Sequence, residues 1–324
     1  MFAGTCVVSK KIIDLPNVEK VKGFDMSGYS KALSSFVNPQ INQEFLNYLE
    51  FLNNLPLLEG NIFNEFSING KPKTINESSF KGQFVNSRMF FSEFVGKKID
   101  TIKSEIKKDL SLGLITEKVF LQVTALLLKY ADSNAYTTSV YGAYLKNEKE
   151  KSKPFFNKSL SEELSTLKFY NDKSFEFQQS KILDSIQTLD HLDILYMDPP
   201  YTTRRYENNY HVLDFISDPH FSPDNIKYGT KAGTPDLSKM INPFARKADT
   251  KVIFKEMIRL GKQKCDTLYI SYSNQGLMTQ SDIQEIVNEL GLTLFTETQR
   301  HKKYKSHTNE VSGDLWEIIW VIKN

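Results

Sequence analysis

Two short runs of this chain carry residue types that could do chemistry. The first, Asp198-Pro199-Pro200-Tyr201, follows directly on the apolar run from Leu192 to Met197. Such a run reads as a short buried strand, and the prolines must end it because they bring no ladder donor. Asp198 is therefore placed at the carboxyl end of a strand, the edge at which open α/β sheets bind ligands. The same four residues would also serve as a polar turn. The second run is Phe2-Ala3-Gly4-Thr5. Gly4 permits a tight turn, and Asp25 follows at about the 20-residue offset at which an acid reaches the ribose hydroxyls of a bound nucleoside. Taken alone, this pair also describes a glycine turn and an unrelated surface acid.

The elements that must hold these residues follow from periodicity. Residues 18–25 read as a short strand ending in Asp25. Ile41, Phe45, Tyr48, Leu49, Leu52 and Leu55 recur at helical spacing from about residue 38 until Pro56. Residues 59–84, rich in Asn, Gly, Ser and Lys, suggest an exposed loop or hairpin. Ile99, Ile102, Ile106 and Leu110 form an apolar stripe, Gly113 breaks it, and Thr116 starts a second helix through Tyr130. By charge alone, residues 141–158 read as a solvated linker. Beyond residue 190 the pattern alternates: a strand, a loop to about 250, a helix over 251–262, a strand over 266–272, a helix over 280–290, and strands near 292–298 and 315–322. That alternation predicts a largely parallel sheet with helices on its faces.

Composition narrows the class. The 324 residues are 40% hydrophobic and 12% aromatic, enough for one large domain or a core domain with an insertion. Lys and Arg total 41 against 39 acids, so attraction to a polyanion must come from local patches. The longest apolar stretch, residues 119–128, is interrupted by Gln122 and Thr124 and is too short to span a bilayer. The N-terminus lacks the apolar run of a signal peptide. Cys6 and Cys265 have no metal-ligand spacing. These features predict a reduced, cytoplasmic protein without a metal.

In combination the motifs resemble a known group. Residues 2–5, the acid at Asp25 and the strand ending in Asp-Pro-Pro-Tyr are similar to the amino-methyltransferases that use S-adenosylmethionine. More narrowly, the chain resembles the Dam-type N6-adenine DNA methyltransferases, including relatives from restriction-modification systems. Segments 90–106, 133–146, 195–214, 269–283 and 302–306, the last lying before the run at 315–321, match that group in order. The resemblance implies an α/β fold: a Rossmann-like, S-adenosylmethionine-dependent methyltransferase sheet formed by residues 1–34 and 176–324, with a mainly helical target-recognition insertion over 35–175. It implies methyl transfer to the N6 amine of adenine at a specific site in double-stranded DNA, by a monomer that works beside a cognate restriction endonuclease and no membrane. Two other readings stay open: an amino-methyltransferase acting on RNA or protein, where Asn usually replaces the acid, so that Asp198 favours DNA; and a catalytically impaired, DNA-binding remnant.

The resemblance also gives residues their roles. An exocyclic adenine amine is a poor nucleophile because its lone pair is delocalised into the ring. The Asp198 carboxylate and the Pro199 carbonyl would accept its two hydrogens, Pro200 would stiffen the turn, and Tyr201 would stack on the extruded base. Phe2, Ala3, Gly4, Thr5, Asp25 and Asp198 would hold the cofactor, with Asn274 at the edge of the same pocket. Tyr141, Tyr144, Lys146, Arg204, Arg205, Asn208, Asn209, Lys302, Lys303 and Lys305 would approach DNA. Two departures from the group stand out. Only Met1 precedes Phe2, which predicts a central strand shortened to one or two residues. Cys6 stands where a second glycine is usual, and is expected to crowd the cofactor loop. Weak cofactor binding and weak activity of residues 1–324 are the resulting expectation.

Overall fold

A computed structural model describes residues 1–71, 73–75, 83–85, 88–137, 140–145, 153–203, 205–227, 230–237, 242–301 and 315–324. Behind the Gly4 turn the chain enters α1 (Val7–Ile13), β1 (Lys20–Asp25) and α2 (Gly28–Ser34). α3 (Gln43–Asn53) starts where the Asn42 side chain accepts from the Phe45 N–H at 2.9 Å. After α4 (Asn61–Phe66), a small hairpin pairs β2 (Lys73–Ile75) with β3 (Gln83–Val85). The two long helices, α5 (Glu93–Ser111) and α6 (Glu117–Asn134), are capped by Ser92 and Thr116 and carry the apolar stripes read from the sequence. Then come α7 (Lys158–Ser165), β4 (Ser174–Gln179), α8 (Ile182–Gln187), β5 (Leu192–Met197) and α9 (Tyr206–Ser217). The chain closes with α10 (Lys247–Lys262), β6 (Cys265–Ser273), α11 (Gln280–Glu289), β7 (Thr293–His301) and β8 (Leu315–Lys323). Among the described residues no helix is long and apolar enough to cross a membrane.

Besides the β2–β3 pair, the described strands form two ladders. β1 pairs in parallel with β4; β5 pairs in parallel with β6, and β8 lies antiparallel between β6 and β7. Residues 1–3 join them. The Met1 nitrogen donates to the Tyr196 carbonyl, Asp198 N–H donates back to the Met1 carbonyl at 3.2 Å, and Ala3 N–H donates to the Phe24 carbonyl at 2.9 Å. Bonds from one residue to positions on either side of Met197 are the pattern of a parallel ladder. The order across the molecule is thus β4, β1, residues 1–3, β5, β6, β8, β7. From residues 1–3 the chain runs outward to β4, then returns to β5 and runs the other way. The order reverses between residues 1–3 and β5, which makes that seam the switch point at which open α/β sheets bind ligands. The shortened central strand expected from the sequence is therefore present as three backbone bonds.

Two large cores hold these parts. One lies between the sheet and α10 and α11, around Trp320, Tyr272, Phe254, Met257 and Ile283. The other packs α3 to α7 together with Ala32 of α2 and Val212, Phe215 and Ile216 of α9. Within it the buried Asp100 carboxylate, on α5, accepts from Gly60 N–H at 3.1 Å, Ile62 N–H at 3.0 Å and Phe63 N–H at 2.7 Å, and so satisfies the start of α4 from another helix. Burial pushes its pKa up to about 6 despite those donors. Asp100→Ala is expected to destabilise the fold by about 1–3 kcal/mol, because it leaves three backbone donors without an acceptor. Asp100→Asn, whose amide oxygen still accepts, is expected to lose less, and urea unfolding of both variants checks the difference.

Candidate active site

β1 and β5 end on the same edge of the sheet, on either side of residues 1–3. Asp25 closes one and Asp198 follows the other, and both line a single cleft of about 1640 Å3. That exceeds the ~300–1,000 Å3 of an ordinary single-ligand pocket. Phe2, Gly4, Thr5, Pro199, Pro200, Tyr201 and Arg205 line it too. Gly4 has φ +51°, and a Cβ there would meet no atom within 4 Å, so the turn offers a bare backbone to the open cleft. Asp25 fastens this turn: its Oδ2 accepts from Gly4 N–H at 2.8 Å and its Oδ1 from Ser27 N–H at 2.9 Å.

Asp198 is reached by solvent within the cleft, but the protein around it weakens its hydration. This desolvation, with Glu317 adding to it, pushes its pKa up to about 6. The next residues are braced from behind. The Tyr201 ring meets Tyr272 edge-on at 6.2 Å, Tyr272 stacks on Trp320 at 5.2 Å, and Leu277 N–H donates to the Tyr201 carbonyl at 3.3 Å. Trp320 in turn donates its indole N–H to Gln280 at 2.6 Å. The tyrosine is thereby held at the cleft wall by an aromatic stack that reaches into the sheet core.

Family comparison agrees with this geometry. The model of the D12 class N6 adenine-specific DNA methyltransferases matches residues 1–286. The chain belongs to this family. Among its relatives is the type II methyltransferase M.NlaIII of Neisseria lactamica, 30% identical over 329 residues that span 100% of this chain and 89% of that protein. The type II methyltransferase M.CviAII of Paramecium bursaria Chlorella virus 1 is 26% identical over 99% of this chain and 88% of its own length. M.FokI of Planomicrobium okeanokoites is 28% identical, over 73% of this chain and 35% of that protein. No solved structure matches.

Several residues expected at the site lie elsewhere in this D12-class chain. Tyr141 is fully buried, its ring among Phe90 and Phe91 and its hydroxyl 3.5 Å from Asp132, so it is a core residue and presents no face to DNA. Tyr144 is half-buried against Phe90 at 5.2 Å. The Ala3 side chain packs with Ile12 and Val18 around Cys6 and Ile13. Cys6 does not crowd the loop: at φ +60° its thiol turns inward to that cluster, 3.9 Å from the Ser30 carbonyl. Asn274 continues the ladder to β8, its N–H bonding the Trp316 carbonyl at 3.1 Å and its side chain accepting from Trp316 N–H at 3.0 Å, and it does not line the cleft. Asn208 and Asn209 lie half-buried in the first turn of α9, and the Arg205 guanidinium, at the cleft, donates to the Leu237 carbonyl at 3.3 Å. Lys146, Arg204, Lys302, Lys303 and Lys305 lie outside the described residues.

The structure adds residues the sequence reading passed over. Tyr206, Tyr210 and Asp214 all line the cleft from α9, and Tyr29 from α2 faces them. Tyr206 and Tyr210 stack at 6.3 Å, and Tyr210 meets Tyr29 at 5.9 Å. Their spacing of four residues puts Tyr206, Tyr210 and Asp214 on one helix face, a signal open to view once the segment is read as a helix rather than a loop. Gly276 supports the same wall, because a Cβ there would fall 2.2 Å from the Tyr272 ring. Gly276→Ala is expected to push Tyr272 off Tyr201 and to cost about 1–3 kcal/mol of stability, as overpacking does. Urea unfolding followed by tryptophan fluorescence checks it.

Proposed function

We propose that the chain transfers a methyl group from S-adenosylmethionine to the N6 amine of an adenine extruded from double-stranded DNA, through the cleft between Asp25 and Asp198. The observation that carries this reading is the pairing of the two acids, at strand ends on either side of residues 1–3, in one cleft with room for two nucleosides. S-adenosylmethionine supplies, when bound, an electrophilic methyl group. The bare Gly4 turn and the Asp25 carboxylate would hold its ribose side, with Phe2 and Thr5 beside them, while Met26, just past β1, and Ile182, which opens α8, offer apolar faces for its purine. The fit rests on the open space over Gly4 and on the acid fastened beneath it.

Asp198 would accept one hydrogen of the target amine and the Pro199 carbonyl the other, drawing the nitrogen lone pair out of conjugation and aiming it at the methyl group. The two prolines keep these acceptors from moving apart. Tyr201, braced by Tyr272, would stack on the extruded base, with Tyr206 and Tyr210 as further aromatic faces. We assign phosphate contacts to Arg204, Arg205, Lys146, Lys302, Lys303 and Lys305. Residues 1–34 and 176–324 would form the catalytic unit and the helical residues 35–175 the target-recognition insertion. In the cell the protein would act as a monomer in the cytoplasm, protecting sites read by a cognate restriction endonuclease.

Asp198→Ala is expected to abolish transfer of tritiated methyl groups to DNA while leaving DNA binding in a mobility-shift assay largely intact. Tyr201→Ala should lose the ~1–3 kcal/mol of a base stack. Turnover of Asp198→Ala near that of the parent would overturn the mechanism. A pH profile tests the same group. Asp198 must be ionised to accept from the amine, and its pKa lies at about 6, so kcat/KM is expected to be level above that pH and to fall as the pH drops through it.

A further inference from the structure

The two acids sit on different strands, and each is followed by a turn and a helix: α2 after Asp25, α9 after the Asp198 loop. These helices meet at Asp214. Its Oδ1 accepts from Gly28 N–H at 3.1 Å and from Tyr29 N–H at 3.4 Å, the first two donors of α2. Ser27, which occupies the cap position of α2, makes no side-chain capping bond. The cap is therefore supplied across the cleft wall by the helix that leads out of the Asp-Pro-Pro-Tyr loop. The approach is close: a Cβ at Gly28 would lie 2.9 Å from Ser217 Oγ and 3.8 Å from Asp214 Oδ1. Asp25 and Asp214 thus hold successive N–H groups of one turn, Ser27 by the first and Gly28 and Tyr29 by the second.

We propose that Asp214 is a positioning residue that locks the turn carrying Asp25 to the helix that follows Asp198, so that methyl donor and acceptor amine are held in one register. The inference rests on the function proposed above and adds to it a group that touches neither reacting atom. A displacement of α2 against α9 would carry Asp25, and whatever it holds, away from the Asp198 loop, and misplacement of reacting atoms by about 1 Å costs about a hundredfold in rate. A residue that merely stabilised the fold would change the amount of active protein but not the turnover of each active molecule.

The test uses the whole chain. Calorimetry with S-adenosylhomocysteine gives the affinity and the number of binding sites, and transfer of tritiated methyl groups to plasmid DNA prepared without adenine methylation gives kcat per binding site. Asp214→Ala is expected to weaken S-adenosylhomocysteine binding about tenfold, the size of one lost charged hydrogen bond, and to lower kcat per site at saturating cofactor by at least about tenfold. Asp214→Asn, whose amide oxygen still accepts from Gly28 and Tyr29, is expected to stay within about threefold of the parent in both. If Asp214→Ala does not fold, Asp214→Ser, too short to reach Gly28, takes its place. Turnover per site unchanged in the shortened variant overturns the proposal, whether or not affinity falls; so does Asp214→Asn as impaired as the shortened variant. A parent that binds S-adenosylhomocysteine but transfers no methyl group overturns the function proposed above instead, and unchanged affinity in the shortened variant would then overturn the clamp by itself.

Discussion

The backbone of residues 1–3 bonds to β5 on one side and to β1 on the other, and the two acids of the cleft take their relative position from that junction. Without it the molecule would have two separate ladders, one ending in Asp25 and the other in Asp198. With it the two acids share an edge, and the Gly4 turn emerges between them. Parallel ladders this short are weak by themselves. The junction is therefore supported from outside: α2 leans on α9 through Asp214, and the side chains of Phe2 and Phe244 meet edge-on at 5.9 Å beside the cleft.

A second regularity is the use of buried or half-buried acids to satisfy helix starts that local residues leave open. Asp100 does this for α4 and Asp214 for α2, and in both a carboxylate on one helix accepts the first N–H groups of another. Both pay in desolvation, which raises their pKa to about 6. For each, the folded form holds a proton more readily than the unfolded chain. Their contribution to stability is thus greatest below the ordinary carboxylate range and is lost as the pH rises through about 6.

How much of this could be read from the residues differed by element. β5 is plain because a run of six residues, apolar but for Asp193, is followed by Asp198 and two prolines, and α5 and α6 because their stripes run long and begin at Ser92 and Thr116. β4 is hard to read because four of its six residues are exposed and its two phenylalanines, Phe175 and Phe177, are only half-buried, against the small cluster around Cys6, Ile13 and Val21. α9 reads as loop because the Asn and Tyr residues of its first turns are weak helix formers, and its helical character comes from packing Val212, Phe215 and Ile216 into the core. Of the site, Gly4, Asp25 and Asp198 to Tyr201 were legible from type and spacing. Tyr141 is ambiguous in the sequence because aromatic residues among lysines look alike whether they face solvent or a core. Asp214 was out of reach, since its partners lie 185 and 186 residues away in the chain.

The shared core of the helical half bears on how such an enzyme can be rebuilt. Ala32 of α2 and Val212, Phe215 and Ile216 of α9 pack into the same apolar cluster as α3 to α7. A segment cut at residues 35 and 175 would leave behind part of its own interior and uncover a greasy face on the remainder. The helical half is thus not a detachable unit on this scaffold. Any graft that carries the helices to a new host must bring α9 with them, and α9 carries Tyr206, Tyr210 and Asp214 into the cleft. Changes in how the helical core packs and changes in how the cleft is built are therefore inherited together.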